Sequence, residues 1–286
     1  MHWHRLPIAL LLGSLLIAPL TAAVQGAKPR ILLFAVKSDS GRVADLDPIA
    51  ISDGIHFDSL PNGDEDSVSE HFRVSYFARS RRYRTYAGGH PMGWIVASGP
   101  GEVGCTGLPG RGRLEPAQTT PWAGLASNDT SLGGPFRRRS LSPEEKRVLR
   151  GLASTALEHA GAPHRLASSA EAMKSWAYEG KGGGAPMLVG SFVRDASATS
   201  TNDSTLAVFL IAEKTGATYR PTLTWTHAGV EEDRQVRDLV DAIDLDRDGY
   251  LEVVTGTSYY ESYNFQIYKH GKAGWALAYE STMWGC

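Results

Sequence analysis

Apolar positions along this chain fall mostly in short runs of strand length. "RILLFAV" opens the first at Arg30. "RRYRTYAGGHPMGWIVAS" reads as a hairpin, with Tyr83 and Tyr86 on one side, Gly88-Gly89 near the turn, and Trp94 to Ala97 returning. Seven further runs follow: Met187–Val193, Leu206–Ala212, Tyr219–Thr226, Val236–Ile243, Leu251–Thr257, Asn264–Lys269 and Trp275–Tyr279. Turns as short as "EKTGA" and "KHGKAG" force their flanking strands to pair antiparallel. The alternation in "YNFQIYKH" predicts one wet face and one dry face.

One stretch has helical spacing instead. In "SPEEKRVLRGLASTALEHAGAP", Ser142 is the expected N-cap, Pro143 the first helical residue and Glu145 the partner in a capping box. Val148, Leu149, Leu152, Thr155 and Ala156 form the expected apolar stripe. Gly161 suits a left-handed end, and Pro163 blocks continuation. The chain therefore divides into an N-terminal β domain over 28–118, resembling a small barrel or sandwich in its pattern, a linker over 119–141, a helix over 142–162 and a C-terminal β domain over 163–286. The expected fold is mainly β, with antiparallel meander sheets and one or two α-helices.

The N-terminus changes the compartment. Arg5, the apolar run Leu6 to Leu20 and the small residues to Ala23 make residues 1–23 a secretory signal peptide. Cleavage is placed after Ala23, with Gly26 as the alternative. A membrane anchor would need about 20 apolar residues; no later stretch is apolar enough to span a bilayer either. A secreted or periplasmic chain with two cysteines predicts a disulfide between Cys105 and Cys286, with two free buried thiols as the alternative.

Composition excludes more than it assigns. A net charge of -2 offers no electrostatic case for nucleic acid. There is no His-Glu-x-x-His motif, no Gly-x-Ser-x-Gly elbow, and no phosphate-cradling glycine loop with Lys. His56, His71, His90, His159, His164, His227 and His270 lack ligand spacing. The basic triplet Arg137 to Arg139 reads as a solvated loop run. The aromatic stretch "YYESYNFQIY" reads as cross-strand packing rather than a ligand platform.

One stretch carries chemistry. "DAIDLDRDGYLEVV", Asp241 to Val254, places five acids within twelve residues. Counting from Asp244, Asp246 is third, Asp248 fifth, Gly249 sixth, Tyr250 seventh and Glu252 ninth. Two like charges 4 Å apart repel by about 4 kcal/mol at an effective dielectric of 20, so such a loop asks for a cation. Calcium takes six to eight hard oxygens, and a glycine suits the sharp sixth position. An EF-hand would need a Glu at position twelve and helical flanks; here position twelve is Thr255 and the flanks are strand-like. Asp-x-Asp-x-Asp-Gly-x-x-Glu between strands resembles the calcium loop of FG-GAP repeats, as in integrin-type β-propellers and related bacterial secreted proteins. The resemblance implies Ca2+ held by the side chains of Asp244, Asp246, Asp248 and Glu252 and by the Tyr250 carbonyl. It covers Leu206 to Cys286. A propeller needs four to eight blades, and a single good loop excludes a full one.

The expected function is that of a secreted or periplasmic, non-catalytic binding module with one structural calcium ion. Its partner would be a protein or glycan of the envelope or extracellular space. A secreted hydrolase using calcium only for structure is the alternative.

Overall fold

The computed structural model describes residues 30–285 apart from 55, 59, 62–65, 102–106, 135, 181–183 and 196–203. The expected signal peptide and the expected Cys105–Cys286 bridge lie outside the described residues. The fold is mainly β and entirely antiparallel, with no propeller.

The first sheet contains β1 (Ile31–Ser38), β2 (Val43–Ser52), β3 (Phe57–Asp58), β4 (Arg82–Ala87), β5 (His90–Pro100), β6 (Gly110–Glu115) and β7 (Trp122–Ser127). The order β1-β7-β4-β5-β6-β2 closes into a six-stranded barrel because β1 also pairs β2. Leu32, Phe34 and Val36 point inward along β1, as period two requires, and meet Leu46, Tyr83, Ile95 and Leu114. Helix α1 (Asp66–Tyr76) adds Phe72 to this core, and Trp284, at the other end of the chain, is also buried in it. The polar sequence ahead of α1 hides the helix, although Ser69, Phe72 and Tyr76 stand at helical spacing.

The second sheet runs β12-β11-β10-β9-β8, from β8 (Arg137–Arg139), β9 (Glu171–Glu179), β10 (Met187–Arg194), β11 (Thr205–Thr215) and β12 (Thr218–Gly229). The third runs β13-β14-β15-β16, from β13 (Val236–Ile243), β14 (Glu252–Ser258), β15 (Ser262–Gly271) and β16 (Gly274–Glu280), with β17 (Trp284–Gly285) also on β15.

These pieces stack as layers. Leu33, Ile49 and Leu125 on the outside of the barrel pack against Val254, Phe265 and Ile267 of the third sheet. Leu239, Val253 and Tyr268 on that sheet's other face pack against Tyr178, Val189, Phe209 and Ile211 of the second. The second sheet's far face is covered by Leu149, Ala153 and Leu157 of α2 (Pro143–His159) and by Ala167 of the short α3 (His164–Ala167). Strands buried on both faces read as continuous apolar runs, which is why Leu206–Ala212 shows no alternation.

Helix α2 begins as its sequence demands. Ser142 Oγ accepts the Glu145 N–H while the Glu145 carboxylate accepts the Ser142 N–H. It ends with Gly161 at φ 93°, Ala162 N–H donating to Leu157 O and Gly161 N–H to Glu158 O, the paired bonds of a Schellman end. The buried stripe is Leu149, Ala153 and Leu157; Thr155 is exposed.

Several sequence expectations change in three dimensions. Tyr83 and Tyr86 face opposite ways, Tyr83 into the barrel and Tyr86 toward the third sheet. The residues read as a linker supply β7, inside the barrel order, and β8, an edge of the second sheet. The arginines of β8 are paired rather than merely solvated. Arg137 and Arg139 bind Glu179, Arg139 also binds Glu145, and Arg138 stacks on Trp176 and binds Asp241. The "wet" face of β15 is buried, since Asn264 and Gln266 lie between sheets. They are tolerated because Thr255 and Thr257 donate to Gln266 Oε1 and Asn264 donates to Glu280.

Candidate metal site

The acidic stretch occupies the turn between β13 and β14, with Ile243 paired to Glu252 at its base. Its five acids have different fates. Asp241 lies before the turn and is 1% exposed. Arg138 sits 3.1 Å from its Oδ1, Tyr178 OH and Ala242 N–H donate to the same oxygen, and Gly88 N–H donates to Oδ2 at 2.7 Å. Burial still raises its pKa, opposed by Arg138 and these donors. The close approach requires Gly88, whose φ is 61° and whose missing Cβ would overlap Arg138. Asp241 is therefore a structural anchor.

The turn then curls around Asp244. Its Oδ1 accepts the Arg247 N–H at 2.7 Å and its Oδ2 the Gly249 N–H at 3.2 Å. Gly249 takes φ 89° at the sixth position, and Arg247, at φ 65°, also turns left-handed. The Arg247 guanidinium is held outside the turn by Asp129 and Ser131. Asp246 accepts the Asp248 N–H at 3.1 Å, and Asp248 accepts the Tyr250 N–H at 2.9 Å.

Glu252 is the decisive member. It shares a strand face with Val254, which packs toward the barrel, so its carboxyl is driven into the interface between layers. It is 1% exposed. Oε2 accepts the Leu245 N–H at 2.6 Å, whereas Oε1 is buried with no hydrogen-bond partner. Burial pushes its pKa up to about 8; the Leu245 N–H opposes this and the charges of Asp248 and Asp244 add to it. Asp244 is also raised, first by burial.

Carboxylate oxygens of Asp244, Asp246 and Glu252 lie within 4.8 Å of one another, the one such trio among the described residues. The donors are all hard oxygens, the type that suits calcium, magnesium or manganese. The Asp248 carboxylate is not part of the trio. Asp248 lies at the rim, its Oδ2 3.5 Å from Lys269 Nζ. The Tyr250 ring is exposed and stacks on His270 at 5.6 Å.

Sequence reasoning missed Lys269. It follows Ile267 on β15 by two residues, and its ammonium contacts Asp246 directly. No local pattern marks it, because only strand pairing carries it to a loop more than twenty residues earlier. Lys269 also lines a cleft of about 230 Å³ between the barrel and the third sheet, walled by Ile31, Leu33, Ala50 and Phe57 and lined as well by Asp246 and Glu252.

A second cleft, of about 340 Å³, lies between the outside of the barrel and the other two sheets. Asp45 and Asp47 of β2 line it with Lys37 and Lys174. Asp47 Oδ1 is buried without a partner, and burial pushes the pKa up to about 7, with Tyr263 opposing and Asp45 adding to the rise.

Among the described residues, no helix is long and apolar enough to cross a membrane. In comparisons with known proteins, no family model, no curated protein and no solved structure matches the chain.

Proposed function

We propose that the protein is a secreted or periplasmic, non-catalytic binding module whose β13–β14 turn holds one structural calcium ion. The observation that carries this reading is the orphaned Oε1 of Glu252, buried beside Asp244 and Asp246. A buried charge without a partner is strongly unfavourable, and a divalent cation supplies one partner for all three carboxylates. Calcium is preferred to magnesium because a loop with uneven donors suits its flexible coordination, whereas magnesium demands a near-ideal octahedron. The loop's resemblance to FG-GAP repeats adds Asp248 and the Tyr250 carbonyl to the ligands. The ion orders the turn, and the ordered molecule binds a protein or glycan of the envelope.

The test is thermal unfolding of the protein in millimolar calcium and in chelator. At free calcium about 100 times the dissociation constant, linkage stabilises the fold by roughly 2.7 kcal/mol. The wild-type midpoint should rise with calcium and that of Asp246→Ala should not. Equal midpoints for wild type in both buffers would remove the ion from the reading.

The second cleft favours a different reading, a secreted hydrolase. Asp45 and Asp47 stand two residues apart on one strand face, and a carboxyl raised to about 7 is suited to general acid–base work. Turnover of chromogenic esters or glycosides, abolished by Asp47→Asn, would establish it; a soluble, folded protein without turnover on either class would count against it.

A further inference from the structure

We propose that the cleft beside the acidic turn binds a small apolar carboxylic acid, and that calcium and this acid bind cooperatively through Lys269. The proposal rests on the calcium reading above. Among the described residues, Lys269 is the one lysine or arginine that both touches an acid of the turn and lines the cleft. In the structure its ammonium contacts Asp246 and lies 3.5 Å from Asp248 Oδ2. A divalent ion cannot share those carboxylates comfortably with an ammonium a few ångströms away, since like charges at that distance repel strongly. Ion entry therefore turns Lys269 off the acids and toward the cleft.

There it faces walls of Ile31, Leu33, Ala50 and Phe57, and the ion neutralises Asp246 and Glu252, which line the same cleft. An ammonium beside apolar walls asks for an anion with an apolar body. The cleft, at about 230 Å³, is smaller than the roughly 300–1,000 Å³ of drug-sized sites, so the matching ligand is a short-chain acid. The carboxylate pairs with Lys269 and the chain covers Phe57 and Leu33. Each ligand removes an obstacle to the other: the ion frees the ammonium, and the acid holds the ammonium away from Asp246. Coupling of this kind is reciprocal.

Hexanoate is the probe, with 1-hexanol as the uncharged control, titrated against the full protein by ligand-observed NMR. Calcium binding is followed separately by calorimetry. Calcium should tighten hexanoate by about tenfold or more, within the usual span of coupling between sites, and hexanoate should tighten calcium by the same factor. Hexanol should bind no better with calcium than without. Lys269→Met should bind calcium more tightly than wild type and lose hexanoate, while Lys269→Arg keeps both. The opposite movements in Lys269→Met cannot come from misfolding. Hexanoate binding that ignores calcium, or that survives in Lys269→Met, overturns the proposal. A protein that binds calcium but no hexanoate overturns it alone; one that binds no calcium overturns the ion reading with it.

Discussion

Asp241 and Glu252 stand at the base of one hairpin, and each is 1% exposed. Asp241 is met by a guanidinium, a phenol and two backbone N–H groups. Glu252 is met by one N–H and leaves an oxygen without a partner. The same side-chain chemistry at the same depth is thus complete in one place and incomplete in the other. A complete site holds the fold together. An incomplete one leaves a buried oxygen whose partner must come from outside the chain, and the ion proposed above is one such partner.

The largest expected effect breaks this contrast from the complete side. Asp241→Ala leaves Arg138, Tyr178 and Gly88 N–H buried without their acceptor, and removing one partner of a buried pair costs about 3–5 kcal/mol. Urea unfolding should show that loss equally with calcium and with chelator. Glu252→Gln should behave oppositely: little loss in chelator, and no remaining response to calcium.

An intermediate effect extends the comparison to Asp47, whose Oδ1 also lacks a partner. Its pKa is raised from 3.8 to about 7. Between those values the unfolded chain has lost the proton and the folded one keeps it, so stability falls as pH rises through that window. The difference in urea midpoint between pH 5 and pH 8 should therefore be smaller in Asp47→Asn than in wild type. The fully partnered Glu145, lowered to about 2 by Arg139, has the reverse sign: its contribution is present above pH 4.5 and disappears as pH falls toward 2. Glu145→Gln should flatten the acid limb alone.

The smallest effect concerns the rim. Tyr250 is exposed, and its ring only stacks on His270. Its backbone, not its ring, belongs to the proposed ion site. Tyr250→Ala should cost no more than about 1 kcal/mol, as exposed aromatic contacts do, and should leave the calcium-induced shift in midpoint intact.

Much of the local structure was legible along the chain. The Ser142–Glu145 box, Gly161 and Pro163 bounded α2 because caps depend on residues a few positions apart. Gly88-Gly89 marked its turn because two positive φ angles in succession suit few other residues. The strands around the acidic turn were visible as β-branched runs, and of the four carboxylates that the sequence singles out there, Asp244, Asp246 and Glu252 lie within 4.8 Å of one another. The α1 helix was less legible, since its buried face carries few apolar residues and follows a polar stretch.

The sequence by itself therefore determined the mainly β class, the one long helix and the position of the acidic turn, since each follows from near neighbours and side-chain period. Only the tertiary structure decided that β7 inserts into a closed barrel, that Asn264 and Gln266 are covered, and that Arg138 completes Asp241. It also decided that Glu252 is left half-partnered and that Lys269 meets the turn. All of these depend on which strand pairs with which and on which sheet covers which face. Such choices join residues tens to more than a hundred positions apart, and no local pattern records the distance between them.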